Sequence, residues 1–97
     1  MKLKWSPYAQ SDRIKIYDYI EADSPRSAIL VDERIQNAIE GLIKFPEIGR
    51  PGRVAGTREL VVQRTPYIVA YQIQADTIRI LRILHGAQIW PATMPKQ

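Results

Sequence analysis

Three prolines in the first half of the chain fix where helices begin and end. Ser6 before Pro7, and Ser24 before Pro25, each offer a helix N-cap with proline at the first helical position. Proline also disfavours helical geometry in the residue before it, so Pro46 ends the second segment. The pattern predicts one helix from Pro7 to near residue 22 and another from Pro25 to just before Pro46. So short a link between them predicts an antiparallel αα-hairpin.

The remaining segments are predicted to be β-structure. Polar and apolar residues alternate over Lys2–Trp5, which indicates a short first strand. After a loop rich in proline and glycine over 46–53, three β-rich runs follow with short turns between them, Arg58–Gln63, Tyr67–Ile73 and Thr77–His85. The order β-α-α-β-β-β predicts an α+β fold, with the helical hairpin packed on an antiparallel sheet.

Side-chain periodicity predicts which residues face the core. Strict alternation along the last run places Ile80 and Arg82 on one face of the sheet, and Leu81 and Ile83 on the other. The tyrosines fall at core-like spacings, and we expect packing roles for most of them. They are Tyr8, Tyr17, Tyr19, Tyr67 and Tyr71.

Length and composition narrow the class of protein. A chain of 97 residues that is 45% hydrophobic suits a single domain over 1–97. With no cysteine and one histidine, neither disulfides nor a metal site nor another cofactor is expected. No apolar run is long enough for a signal peptide or a membrane span, so we expect a soluble, cytoplasmic protein without a membrane partner.

The positive charge is confined to the second half of the chain. Residues 1–44 hold seven basic and seven acidic side chains, whereas residues 45–97 hold seven basic and three acidic ones, which accounts for the net charge of +4. A one-sided basic surface suits nucleic acid, an acidic protein partner, or solubility alone.

Several segments taken in order carry a family resemblance that runs from about Trp5 to Trp90. They read SPRSA, FPEIGRPGR, GTRELVV, YIVAYQI and IRILRILHGAQIW. In this order they resemble the ParE-type toxins of the ParE/RelE superfamily. The resemblance implies the toxin of a type II toxin–antitoxin pair, a plasmid-stabilisation or addiction system. It also implies a cognate antitoxin that binds the toxin as a hetero-oligomer.

Within that superfamily two activities compete. One branch resembles ribosome-dependent messenger-RNA interferases, whose chemistry needs a general base, a general acid and several cations on one face. The other branch resembles ParE itself, which inhibits DNA gyrase by binding and performs no chemistry. A third possibility is a relative that has lost potency and persists as an antitoxin-bound corepressor.

The positions at which the nuclease branch carries cations favour the binding toxin. Alignment on Tyr67 and Tyr71 puts Glu59, Val61 and Gln63 where the nucleases present alternating Lys or Arg. Past the last strand, where the nucleases have a basic residue and a tyrosine, this chain reads AQIW. We therefore predict a ParE-like toxin that inhibits gyrase by binding. The alternative is a RelE-like interferase acting on the ribosome and its messenger RNA.

Three side chains remain as weak candidates for catalysis, Arg58, Arg82 and His85. An imidazole can act as acid or base at neutral pH, although a lone histidine at a strand end is more often structural. Arg82 has apolar neighbours on both sides, so we expect it to pair with a helix carboxylate such as Asp18 or Glu21.

Two further arginines are candidates for partner binding. Arg50 and Arg53 lie in the loop over 46–53, where side chains are exposed and rarely serve the core. They are expected either to meet an acidic surface on the target or antitoxin, or only to solubilise the loop. Arg58 is expected to be structural, and Glu59 to pair with a nearby arginine.

Overall fold

A computed structural model describes residues 1–95 and confirms the α+β architecture. A hairpin of two helices packs on a five-stranded sheet with strand order β1-β5-β4-β3-β2. The last two residues of the predicted domain lie outside the described range. The elements are β1 (Lys2–Trp5), α1 (Pro7–Glu21), α2 (Pro25–Lys44), β2 (Arg50–Pro51), β3 (Arg58–Val61), β4 (Tyr67–Gln74) and β5 (Thr77–His85).

The two serine caps set the helix starts, as predicted. Ser6 Oγ accepts a hydrogen bond from the Ala9 amide at 3.0 Å, and Ser24 Oγ accepts one from the Ser27 amide at 3.2 Å. The Ser6 hydroxyl also donates to the Leu81 carbonyl oxygen at 2.8 Å. The first cap therefore begins α1 and also ties it to β5.

The sheet is mixed, whereas a wholly antiparallel sheet was predicted. β3, β4 and β5 form the expected antiparallel meander, but β1 pairs parallel to β5, with Lys4 beside Arg79. Alternation of polar and apolar residues reports only which face a side chain occupies, so it does not fix strand direction. The predicted loop also contains the two-residue strand β2, which pairs Arg50 with Glu59.

A bulge in β5 changes the predicted faces. Ala70 pairs with Arg82 and Tyr71 pairs with Ile80, so Leu81 is an extra residue in β5. The alternation is reset there, and Ile83 follows Ile80 into the core beneath the helices. The prediction that Ile80 and Arg82 share a face is therefore wrong.

The core lies between the helical hairpin and one face of the sheet. Its members include Ala9, Ile35, Ile39, Leu42, Val69, Tyr71, Ile78, Ile80 and Ile83. On the opposite face, Ile68, Ala70 and Leu84 are also buried. The Gly86 amide, just past β5, bonds the carbonyl of Pro66 at 2.8 Å, so the tail turns back beside β4.

The tyrosines divide between core and surface. Tyr67 and Tyr71 are buried and Tyr17 is half-buried. Tyr8 and Tyr19 are 59% and 80% exposed, so three of the five tyrosines pack, which agrees with the expectation for most of them. Within residues 1–95, no helix is both long and apolar enough to cross a membrane.

Candidate functional site

The loop between α2 and β3 is organised by one buried carboxylate. Glu59 is 3% exposed, and its Oε2 accepts a hydrogen bond from the Arg53 amide at 2.8 Å. Its Oε1 accepts from Arg50 Nη2 at 3.1 Å, and Arg53 Nε lies 3.5 Å from Oε2. The expected pairing of Glu59 with a nearby arginine is confirmed, and it involves both of the proposed partner-binding arginines. About half of each guanidinium side chain stays exposed, 53% for Arg50 and 47% for Arg53.

A second set of contacts holds the start of this loop. Arg58 Nη1 donates to the carbonyl oxygens of Gly49 and Glu47, at 2.8 and 3.3 Å. The Tyr71 hydroxyl donates to the Pro46 carbonyl at 2.7 Å and accepts from the Gly49 amide at 2.9 Å. Burial raises the pKa of Tyr71, which keeps it a neutral donor. A Cβ at Gly49 would lie 2.6 Å from that hydroxyl, so only glycine fits there.

His85 organises the turn that follows β5. Its Nδ1 accepts a hydrogen bond from the Ala87 amide at 3.0 Å, and its own amide donates to Gln88 Oε1 at 2.8 Å. Its carbonyl accepts from Trp90 Nε1 at 3.3 Å. The ring also meets Tyr67 edge to face, with centroids 5.6 Å apart. The side chain and backbone of His85 therefore stabilise the turn that follows β5.

The turn and the loop are joined by an aromatic contact. The Arg53 guanidinium lies 3.8 Å from the centroid of the Trp90 ring, a cation–π geometry. A continuous series of contacts therefore runs from His85 through Trp90 and Arg53 to Glu59 and Arg50, and we call these five residues the loop–tail cluster. The role of Trp90 was not predicted from the sequence. The only available signal was the presence of an aromatic residue beyond the last strand.

Arg82 lies in a different network from the loop–tail cluster. Its Nε and Nη2 donate to the two carboxylate oxygens of Asp12 on α1, at 2.7 and 2.9 Å. The expected pairing with a helix carboxylate is confirmed, but the residue is Asp12 and neither Asp18 nor Glu21. Asp12 also accepts from the Ile83 amide at 2.9 Å and is 9% exposed. The hydrogen bonds to Asp12 raise the pKa of Arg82.

An apolar groove lies between α2 and the part of β3 that β2 leaves unpaired, and we call it the α2–β3 groove. It encloses about 430 Å³. Its lining comprises Arg34, Asn37, Ala38, Gly41, Phe45, Ile48, Leu60, Val61 and Gln63. Phe45, Ile48 and Val61 are each at least 40% exposed, an unusual amount for large apolar side chains gathered in one place.

The groove also has an open strand edge. β2 pairs only with Arg58 and Glu59, so within residues 1–95 no strand covers the outer edge of Leu60 and Val61. At one end, Arg34 Nη1 donates to the Arg64 carbonyl at 3.2 Å, which places a cation at the rim. Across the same residues, no three carboxylate, imidazole or thiol groups converge in a way that would hold a metal ion.

The order β-α-α-β-β-β-β, with the hairpin laid across one sheet face, is the fold of solved chains from toxin–antitoxin systems. The family described as ParE toxin of type II toxin–antitoxin system, parDE, matches residues 3–90. The chain therefore belongs to the ParE toxin family.

Two curated relatives are also named as toxins. A putative toxin of Sinorhizobium fredii is 40% identical over 93 residues, covering 96% of each chain. Toxin RelE2 of Caulobacter vibrioides is 36% identical over 85 residues, covering 88% of this chain and 94% of the relative.

Solved structures show the same fold. The chromosomal ParDE system from P. aeruginosa contains a chain that matches with a TM-score of 0.78 and 32% identity, covering 88% of this chain and 95% of that one. The RelBE2 toxin–antitoxin complex from Mycobacterium tuberculosis matches with a TM-score of 0.59 and 26% identity, covering 90% and 92%.

Proposed function

We propose that this toxin inhibits DNA gyrase by binding it, performs no RNA cleavage, and is silenced in the cytoplasm by a cognate antitoxin. The observation that carries the proposal is Glu59. A messenger-RNA interferase needs cations at this position of the sheet to meet the RNA phosphate. Here the position holds a buried carboxylate, which supplies no cation for a phosphate and engages the two nearest arginines, Arg50 and Arg53.

The surrounding side chains support the same conclusion. Arg50 and Arg53 carry the charges nearest to Glu59, and both are engaged with its oxygens. Arg58 donates hydrogen bonds to two loop carbonyls, and Arg82 donates to the Asp12 carboxylate. His85 Nδ1 accepts a hydrogen bond from a backbone amide. Each weak catalytic candidate therefore has a structural partner, which accounts for its position without a catalytic role.

The α2–β3 groove is the proposed antitoxin site. Its open strand edge offers unpaired backbone groups, and its floor offers apolar side chains, a combination that suits a partner segment added as a strand or laid in as an amphipathic helix. Two solved relatives come from a ParDE system and a RelBE2 complex, in which such a toxin has an antitoxin partner. The same groove is thus the natural place for this chain's antitoxin.

A substitution in the groove tests the antitoxin site. Val61→Lys puts a charge at the open edge of the groove, and it should weaken capture of the co-expressed antitoxin at least about tenfold, because desolvating an unpaired ammonium is costly. Ile89→Lys is the matched control, since Ile89 is 96% exposed beyond β5 and outside the groove. Equal capture by both variants would place the antitoxin elsewhere.

The target is tested by two assays run side by side. Purified toxin should inhibit gyrase supercoiling of plasmid DNA, and it should leave messenger RNA on programmed, translating ribosomes intact. Antitoxin added in excess should restore supercoiling. Cleavage of ribosome-bound message without any effect on gyrase would replace the proposal with the interferase.

A further inference from the structure

A pair of neighbouring cations lies on the sheet face opposite the helices. Leu3 and Trp5 pack against the core, so Lys4 between them points to the other face. β1 and β5 pair in parallel with Lys4 beside Arg79, and Gln72 of β4 lies on the far side of Arg79. We call Lys4 and Arg79 the cationic pair.

Neither member of the cationic pair has an anionic partner, unlike four of the nine arginines of this protein. Arg13 bonds Asp32 at 2.7 Å, and Arg50, Arg53 and Arg82 each meet a carboxylate described above. Within residues 1–95, neither member of the pair forms an ion pair, and like charges side by side on adjacent strands are destabilising. The sheet therefore keeps an unfavourable juxtaposition on an accessible face.

Protection of the sheet edge explains the position of Lys4 but not that of Arg79. Lysines on an edge strand such as β1 discourage pairing with other chains, which accounts for Lys4. Arg79 lies on β5, between β1 and β4, where there is no edge to protect. Its position beside Lys4 needs another reason.

A polar cleft adjoins the pair on the same face. The cleft encloses about 350 Å³. Its polar lining comes from Thr57, Gln72, Gln74 and Thr93. Amide and hydroxyl groups donate hydrogen bonds to anions, so the cleft and the two cations together present donors and positive charge to one ligand.

We infer that the cationic pair and its cleft bind carboxylates on an acidic surface of the toxin's protein target. The inference deepens the proposed function and rests on it, because a toxin that acts by binding must present a surface to its target. The opposite sheet face is separate from that groove, since none of the groove-lining residues lines the cleft.

A nucleic-acid ligand fits this face less well than a protein. Proteins that bind nucleic acid commonly neutralise about 6–10 phosphates, whereas this face offers two unpaired cations. Bases of single strands also need exposed aromatic rings for stacking. Tyr8 and Tyr19 belong to α1, across the sheet from the cleft, and the Trp90 ring lies against Arg53.

Charge reversal with a matched control tests the inference. Lys4→Glu with Arg79→Glu should slow association with gyrase about tenfold at low salt, flatten its salt dependence, and relieve growth inhibition. Lys15→Glu with Arg26→Glu makes the same change in net charge at exposed helix positions, and should stay within about twofold of the parent. Capture of the antitoxin should be equal in all three proteins, which shows that they are folded. Lys4→Gln with Arg79→Gln gives a milder version of the same test.

The outcomes separate this inference from the proposed function. If the parent does not inhibit gyrase, yet growth inhibition is lost only when the pair is reversed, gyrase is the wrong target and the binding surface is upheld. If the reversed pair inhibits growth as the parent does, or the helix control loses as much, the inference is overturned. It is also overturned if the parent binds single-stranded RNA or duplex DNA probes at 150 mM salt and reversal of the pair abolishes that binding.

Discussion

Asp12 joins α1 to β5, and replacing it with alanine should destabilise the toxin more than replacing its partner Arg82. Asp12 accepts two hydrogen bonds from Arg82 and one from the Ile83 amide. Its loss leaves a buried amide unsatisfied, at about 1–3 kcal/mol, and a mostly buried guanidinium unpaired. Because the Arg82 side chain is 25% exposed, water compensates in part, and we expect a total loss of about 3 kcal/mol.

Loss of the arginine should cost less. In Arg82→Ala the Asp12 carboxylate loses its cation but keeps the hydrogen bond from the Ile83 amide, so no buried backbone group is left unsatisfied and we expect a loss of about 1–2 kcal/mol. Urea unfolding followed by tryptophan fluorescence gives both values by linear extrapolation. In thermal unfolding the two variants should differ by roughly 4–8 °C for each kcal/mol that separates them.

Asp18→Ala is the control on the same helix. Asp18 is exposed and should change the free energy of unfolding by no more than about 0.5 kcal/mol. A cost for Arg82→Ala that equals or exceeds that for Asp12→Ala would show that the bond to the Ile83 amide contributes nothing. A cost for Asp18→Ala as large as that for Asp12→Ala would refute the assignment of the carboxylate.

Three other substitutions address the loop, the turn and the core. Glu59→Gln should lower the free energy of unfolding by about 1–2 kcal/mol, since the side-chain amide keeps one acceptor oxygen but loses the charge. It should also speed hydrogen exchange at the Arg53 amide, and unchanged exchange there would contradict the role of Glu59 in holding the loop. His85→Ala should still inhibit growth and supercoiling at a comparable dose, whereas loss of a general acid or base would cost about two to four orders of magnitude in cleavage of ribosome-bound RNA. Because burial raises the pKa of Tyr71, stability from that residue is complete below the ordinary tyrosine value near ~10 and is lost as pH rises through the folded-state value. Tyr71→Phe should therefore show a smaller fall in unfolding free energy between pH ~9 and ~11 than the parent, and an equal fall would assign the alkaline loss to other groups.

Local signals in the sequence were sufficient to predict where both helices begin. A serine cap followed by proline is a complete start signal within two residues, and both α1 and α2 begin where that signal stands. The bounds of β5 were also predicted correctly, because turn residues flank a run rich in isoleucine and leucine.

Features that depend on contacts between distant residues were missed. The bulge at Leu81 inserts one residue without any glycine or proline to mark it, and it turned every later side chain of β5 to the other face. The partner of Arg82 was misassigned for the same reason, since Asp12 lies 70 positions away in sequence. The groove was missed because its walls come from α2 and β3, and no single segment contains it.

The loop arginines show a different limit. Sequence placed Arg50 and Arg53 in an exposed loop and left open whether they bind a partner. Their ion pairs with Glu59 depend on β2 pairing with β3, a two-residue strand that lies below what periodicity can detect. Partner binding by these arginines remains a prediction, and it now requires a partner that competes with Glu59 or binds the exposed half of each side chain.

The parallel pairing of β1 with β5 also governs when the molecule becomes a toxin during its own synthesis. β1 is made first but its neighbour in the sheet is the last strand, so its backbone hydrogen bonds wait until residues 77–85 have been added. Closing so long a loop is slow, because its entropy must be overcome before the contacts form. A chain still being translated therefore has neither the completed sheet nor the cationic pair, whose two members lie on these two strands. The surface inferred to meet the protein target is therefore assembled only when the message is nearly finished.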